Sequence, residues 1–504
     1  MATKILIEGK HPLAKDLIRQ YERRNCVVNH SLEITTQGIC INDYDELCLL
    51  SSISGDSEVE ADYEVLSLIP QLIDNYDVAL HSGKKLLCHL LVQSQQTLLM
   101  LQTTDFCEAI REKIDIYPFM MSEVWSRNIV LDYEPITIQS ERHVHLVVFG
   151  MDDMAEMIAI QAAHVAHYPN YVRNHSLRTR ITMIDANAQQ KSEVFMKRYR
   201  HLFDNSYYRI VNLSEEKGVV EFHKPMYEGR REDFVDVEWE FVETENCNAE
   251  VNEKLELWAK DERQLLTVVL ATQDGNRNIC DALRLPDVLY RYNNQVYVYS
   301  QKEISFMNYP NLHVIGMVDK GYDVELPLVR MAKNVNYIYD LCYEENDMQW
   351  NGQMYYAVEI DDAKREISWS NLKTVKRMSS IYNAMTIPTK MRSVGLEEND
   401  WKQFYDITQH EIEILAQVEH NRWSIEELIL GFRPCTDAEQ DIIAADVKKQ
   451  KDAFKAKNVH YDLRAYGELR HDGTGKPVQV YDLCLSSCLP LIARDFAVEK
   501  GGDS

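Results

Sequence analysis

Glu419, His420 and Trp423 fall within roughly one and a half turns of a single run, Ile414 to Phe432. The apolar residues Ile414, Val418, Trp423 and Leu428 recur there at helical spacing, so the run reads as an amphipathic helix. A tryptophan face can stack on a flat group, and a carboxylate can accept that group's hydrogen bonds. The same three residues also suit plain packing, in which a half-buried Trp and a Glu–His pair satisfy a neighbouring loop. Gly431 ends the helix.

Two further stretches have the form of phosphate-binding turns. Gly9-Lys-His-Pro-Leu-Ala14 and Gly150-Met-Asp-Asp-Met-Ala155 each carry Gly first and Ala sixth, without the Gly expected at the third place. In the dinucleotide fingerprint the first Gly permits the tight turn and the next lets a pyrophosphate approach a helix N-terminus. Here the third place holds His11 in one copy and Asp152 in the other, and Asp152 puts negative charge where a phosphate would rest. Asp185 ends the second strand of the later copy, where it can accept from ribose hydroxyls or cap the turn Asp-Ala-Asn. Asn29 occupies the matching place in the first copy and is a weaker ribose partner, so the second copy is expected to bind a nucleotide before the first.

These residues need parallel sheets to position them. Residues 4–8 form a short apolar strand, 15–24 a helix and 26–29 a second strand, with further strands expected at 46–51 and 84–90. The plan returns at 145–149, 156–167 and 180–184, then at 265–270 and 295–299. The fold class is therefore α/β: two tandem Rossmann-like parallel-sheet domains, 1–140 and 141–325, ahead of a mainly α-helical remainder. In that remainder Leu326–Tyr343 reads as an amphipathic helix, and 344–358 as loop and strand. The acidic stretch 232–253 reads as an exposed insertion or hairpin. The five lysines of Asp446–Lys457 read as a solvated helix face.

The C-terminal order is Glu419-His-x-x-Trp423, Gly431-Phe432, His460-x-x-Leu463, Tyr466-x-x-Leu469 and Asp482 before a last helix. It resembles the ryanodine-receptor repeat (RyR domain) over about residues 400–498. That resemblance implies a RyR domain at 396–504. It also implies a nucleotide-like ligand held by Glu419, His420, Trp423, His460, Tyr466 and Asp482. The segment 326–395 looks like a helical linker with a partial RyR-like repeat, through Trp369-Ser-Asn-Leu372 and Ile387-Pro388. Residues 1–320 resemble the NAD-binding domains of Trk-type potassium-uptake regulators, in topology more than in motif. By that resemblance Gly150, Asp152 and Ala155 form the phosphate turn, Asp185 the ribose position, and Ala271, Thr272 and Asp274 the loop lining the nucleotide cleft. Gly9, His11 and Ala14 form the first copy's turn. The implied cofactor is NAD or another adenine nucleotide, and the implied partner a second copy or a membrane protein. Such regulators pair their units about a two-fold axis, and one chain with two units could form that pair internally.

The chain has 504 residues, enough for about three domains. Its formal net charge of −26 argues against a general nucleic-acid or anionic-membrane binder. No signal peptide is visible and no apolar run reaches the ~18 residues of a membrane span. The eleven cysteines form no CxxC pair, and Cys484 and Cys488 read as packed thiols, so a reducing cytoplasm is expected. His143, His145, His164 and His167 lack carboxylates or cysteines at ligand spacing, and no metal is expected. No nucleophile elbow, P-loop or HExxH motif is present. The reading that follows is a non-enzymatic nucleotide sensor, in a bacterial nucleotide-signalling or antiphage setting by family resemblance. The competing readings are an NAD(P)-dependent oxidoreductase or nucleotide hydrolase, and a scaffold whose binding folds are vestigial.

Overall fold

Runs such as Lys4–Glu8 (β1) and His143–Phe149 (β6) are apolar on both faces because helices cover both sides of a parallel sheet. The computed structural model describes residues 2–32, 40–51, 58–104, 108–213, 218–225, 233–245, 248–291, 293–304, 308–344, 360–396, 408–472 and 475–497. Its α/β character and helical C-terminal region agree with the class expected from sequence.

The first sheet adds Val27–Ser31 (β2), Glu46–Leu50 (β3), Leu86–Leu91 (β4) and Ile114–Phe119 (β5) to β1, in the order β2-β1-β3-β4-β5, all parallel. The second sheet is built on β6, Thr179–Asp185 (β7), Tyr207–Asn212 (β8), Gly218–His223 (β9) and Val237–Glu243 (β10). Gln264–Leu270 (β11), Gln295–Tyr299 (β12) and Leu312–Ile315 (β13) complete it. Its order is β13-β12-β11-β6-β7-β10-β8-β9, and only the β8–β9 pair is antiparallel. The order in which strands are added reverses between β1 and β3 in one sheet and between β6 and β11 in the other, although each of these pairs is parallel. At such points the strand ends leave a crevice. The two units thus share a parallel architecture but not a strand order.

Two expectations are corrected. The acidic stretch 232–253 is not an exposed insertion, because β10 lies inside the sheet between β7 and β8. Glu238 pairs with Arg180 of β7 (2.6 Å) and Glu240 with Arg209 of β8 (3.0 Å), while Trp239 and Phe241 fill the core. Strand alternation and cross-strand charge pairing therefore turn an acidic pattern into an interior one. Asn29 does not stand at the place matching Asp185. The amide of Gly9 donates to Ser31 O, as that of Gly150 does to Ile184 O, so Leu32 is the counterpart of Asp185. Asn29 instead donates from its side chain to the Tyr44 hydroxyl (2.8 Å).

The helices Pro327–Glu344, Asp362–Asn371 and Thr374–Ser393 share one core with Gln409–Ile429, Gln479–Ser487 and Leu489–Ala497. The first of these matches the amphipathic helix expected at 326–343. The loop and strand expected at 344–358 lie outside the described residues, apart from Glu344. Gln409–Ile429 is the central helix. A capping box, Thr408 with Glu411, starts it, and Gly431 (φ 90°) ends it. There Gly431 N donates to Leu428 O and Phe432 N to Glu427 O, a Schellman closure. Its first half, through Ile412, Leu415 and Ala416, packs in the helical core. Its second half, through Ile425, Leu428 and Ile429, packs in the core of the second sheet. Contact on all sides explains why the helix buries charged residues as well as apolar ones.

Among the described residues no helix is long and apolar enough to cross a membrane. Of the five lysines expected to be solvated, Lys451 pairs with Asp462 (2.6 Å) and Lys455 meets His460 Nε2 (3.0 Å), so only part of that face is open.

A cleft between the two sheets as candidate functional site

The glycine turns are forced by strand crossing. A Cβ on Gly9 (φ 121°) would lie 2.4 Å from the carbonyl oxygen of Leu50, at the end of the neighbouring β3. A Cβ on Gly150 (φ 105°) would lie 3.3 Å from Thr272 N, just beyond β11. Each glycine marks its sheet's switch point. Ala14 and Ala155 are buried behind these turns and pack the helices close to the strands.

The C-terminal edges of both sheets open onto one cleft of about 1120 Å³. Lys10, His11 and Pro12 bring the first turn to it. Asp153, Met154 and Met157 form the opposite wall, on the helix Asp153–Val165 that follows the second turn. Gln273, Tyr299 and Gln301 enter from the ends of β11 and β12. Gln95 Nε2 donates across the cleft to the Tyr199 hydroxyl (3.3 Å), tying one domain to the other.

Several groups fix these walls. Buried Asp62 accepts from Gln93 N (2.7 Å), Ser94 N (3.0 Å) and the Ser51 hydroxyl (3.2 Å), pinning the loop behind β4. Ser94 caps the helix Gln95–Thr103, whose N-terminus opens into the cleft. Burial lowers the His11 pKa to about 4, so its ring is neutral, and Nδ1 accepts from Leu13 N (3.2 Å). Burial, with Asp153 and Asp62 nearby, raises the Glu58 carboxyl above its ordinary value.

At the second turn Lys191 Nζ lies 3.0 Å from Asp152 and 2.8 Å from Asp185. Burial opposes its charge, but hydrogen bonds to the two carboxylates outweigh that and hold the ammonium above its ordinary pKa. Lys191 thus offsets the charge of Asp152 and joins the proposed phosphate and ribose positions. Asp185 also accepts from Asn187 N (2.9 Å), closing the turn after β7. Asp274 caps the helix Gly275–Ala282, accepting from Asn276 N and Arg277 N. Buried Asn278 holds Thr272 through its amide N (3.1 Å) and its hydroxyl, and Ala271 is buried beside Gly150.

The C-terminal constellation assembles as a cluster. The Trp423 ring meets His460 edge-on at 4.8 Å and lies 5.6 Å from His420, and Tyr466 meets His420 at 5.8 Å. His420 Nε2 donates to Arg464 O (2.8 Å), and its Nδ1 lies 3.7 Å from Asp482. Burial raises the Asp482 carboxyl above its usual range. Among the described residues the buried Tyr466 hydroxyl has no hydrogen-bond partner. Glu419 is 3% exposed and belongs to an ionic network, with Lys390 Nζ at 2.6 Å and Arg422 Nη2 at 2.8 Å. Burial opposes its ionisation, but Arg422 and Lys390 prevail and hold the carboxyl at about 2. Arg422 continues to Glu426 (2.6 Å), which accepts from Ser379 (3.1 Å). Trp423 keeps one side open, so Trp423→Ala is expected to cost about 2–3 kcal/mol, below the range for a fully buried Trp. Urea unfolding of the full chain measures this.

Of the four histidines weighed as metal ligands, three have other partners. His145 lies between Gln264 and Thr182, His164 stacks on Tyr382, and His167 pairs with Asp236. Sequence reading missed Lys191, Asp62, Gln95 and Tyr199. Lys191 had a signal, a cation six residues beyond Asp185 on the next helix. The other three are joined only through the fold. Neither protein-family models nor curated proteins match this chain.

Proposed function

We propose that this protein is a non-enzymatic sensor that takes a nucleotide-class ligand, such as NAD, an ADP-ribose derivative or a cyclic nucleotide, in the cleft between its sheets. The observation that carries this reading is the cleft itself, about 1120 Å³, lined by the first glycine turn on one side and by the start of the helix after the second on the other. The N-termini of the helices Gln95–Thr103 and Asp153–Val165 favour phosphate there, aided by Lys10. Glu58 and Asp153 supply acceptors for ribose hydroxyls. A ligand touching two sheets binds differently when their spacing changes, so occupancy shifts the balance between arrangements of the two domains. That coupling favours a sensor over an oxidoreductase or hydrolase.

Calorimetric titration with NAD, ADP-ribose, ATP and cyclic nucleotides tests it. One of these is expected to bind the wild type more tightly than about 1 mM. His11→Trp and Met157→Trp, one on each wall, are each expected to weaken binding about tenfold or more. Trp423→Ala, remote from the cleft, is expected to retain it. Failure of the whole panel, or binding indifferent to both wall variants, sinks the reading.

A further inference from the structure

A second cavity, about 460 Å³, lies where the first sheet, the segment 316–327 that leads out of the second, and the helical layer meet. It shares no lining residue with the cleft. Phe119 at the end of β5, Leu326, Met378, Ile381 and Met385 make most of its wall apolar. Volumes of this size, apolar with a few placed polar groups, suit small molecules.

Its polar lining mixes acids, amides and hydroxyls with three arginines. Arg127, Arg377 and Arg392 all line the chamber, and each holds one carboxylate: Glu123 (2.6 Å), Asp115 (3.0 Å) and Asp132 (2.5 Å) respectively. Arg377 also donates to Ser370 O (3.2 Å). Arg127 meets Glu123 through Nη2, and Arg392 uses Nε and Nη2 on Asp132, with Nη2 also reaching Thr389. Among the described residues, Arg127 Nε is buried without a hydrogen-bond partner, and the bonds of Arg392 leave its Nη1 unused. Guanidinium groups donate and never accept, so they call for an occupant with acceptor oxygens. A carboxylate meets them best, through charge-assisted bonds. Exposed Asp323 at the rim is the one lining acid without an arginine partner described here.

We propose that this chamber is a binding site for a small amphipathic carboxylate, its hydrocarbon body among the apolar side chains and its head on the wall arginines. The occupant would touch β5, residues 326–329 and the helix Thr374–Ser393 together, and so brace the joint between the first domain and the helical layer.

Calorimetry of the full chain with octanoate, decanoate and 1-octanol tests this. Saturable binding is expected, about tenfold tighter for decanoate than octanoate from two more buried methylenes. Octanol is expected to bind more weakly than octanoate. Met385→Trp, which fills the chamber, is expected to weaken decanoate at least tenfold. R127K/R392K keeps both ion pairs but removes the free guanidinium donors, and is expected to erase the preference for octanoate over octanol. It decides the matter even if Met385→Trp does not fold. No saturable binding by wild type, equal binding of octanol and octanoate, or undiminished affinity in a folded Met385→Trp overturns the proposal.

Discussion

Replacing Glu419 by alanine is expected to destabilise the protein by about 3–5 kcal/mol, because it leaves Lys390 and Arg422 buried without their shared counter-charge. Both cations are nearly inaccessible to water, and the lysine's only described carboxylate contact is Glu419. Arg422 keeps Glu426, so the larger part of the loss falls on Lys390. The double variant Glu419→Gln/Lys390→Met removes one charge of each sign and leaves Arg422 a carbonyl acceptor. It is expected to recover most of the loss, since removing a buried pair together is far milder than stripping one partner. Equilibrium urea unfolding of wild type, single and double variants gives the comparison. A single variant as stable as wild type would mean that water reaches this network and that Glu419 is free for a ligand.

Gly9→Ala is expected to cost about 3 kcal/mol or more, and Gly150→Ala only about 1–2 kcal/mol. Both positions have left-handed backbone, so both substitutions incur conformational strain. Only at Gly9 does the added carbon meet a backbone oxygen at 2.4 Å, and Leu50 O cannot move without displacing β3. At Gly150 the nearest atom is 3.3 Å away, and a few tenths of an ångström relieve it. Thermal melts of the two variants test the order. The reverse order would show that the first turn is looser than its crossing geometry implies. The contrast also bears on function, since a glycine at such a turn reports strand crossing before it reports a phosphate.

Apolar runs, their spacing and the placement of glycines are enough to read the parallel α/β class, both glycine turns, the strands at 46–51 and 84–90, and the helix closed by Gly431. These are local properties: a buried parallel strand is a short apolar run, and a left-handed helix end selects glycine. The placement of β10 was not legible, because an acidic strand becomes interior only when Arg180 and Arg209 arrive from strands beside it. Nor was the partnership of Glu419 legible, since Lys390 stands 29 residues away on another helix. His420, Trp423, His460, Tyr466 and Asp482 were grouped by their order in the chain, and the fold brings them into one cluster while tying Glu419 to Lys390 and Arg422. Asp185 was singled out as a strand-end carboxylate, but its bridge through Lys191 to Asp152 depends on how a helix lies across two strands. Residue types and spacing thus determined which elements form and where they stop. Only tertiary structure decided that the ends of the two sheets share one cleft, because that depends on how separately formed layers pack, which no local pattern encodes.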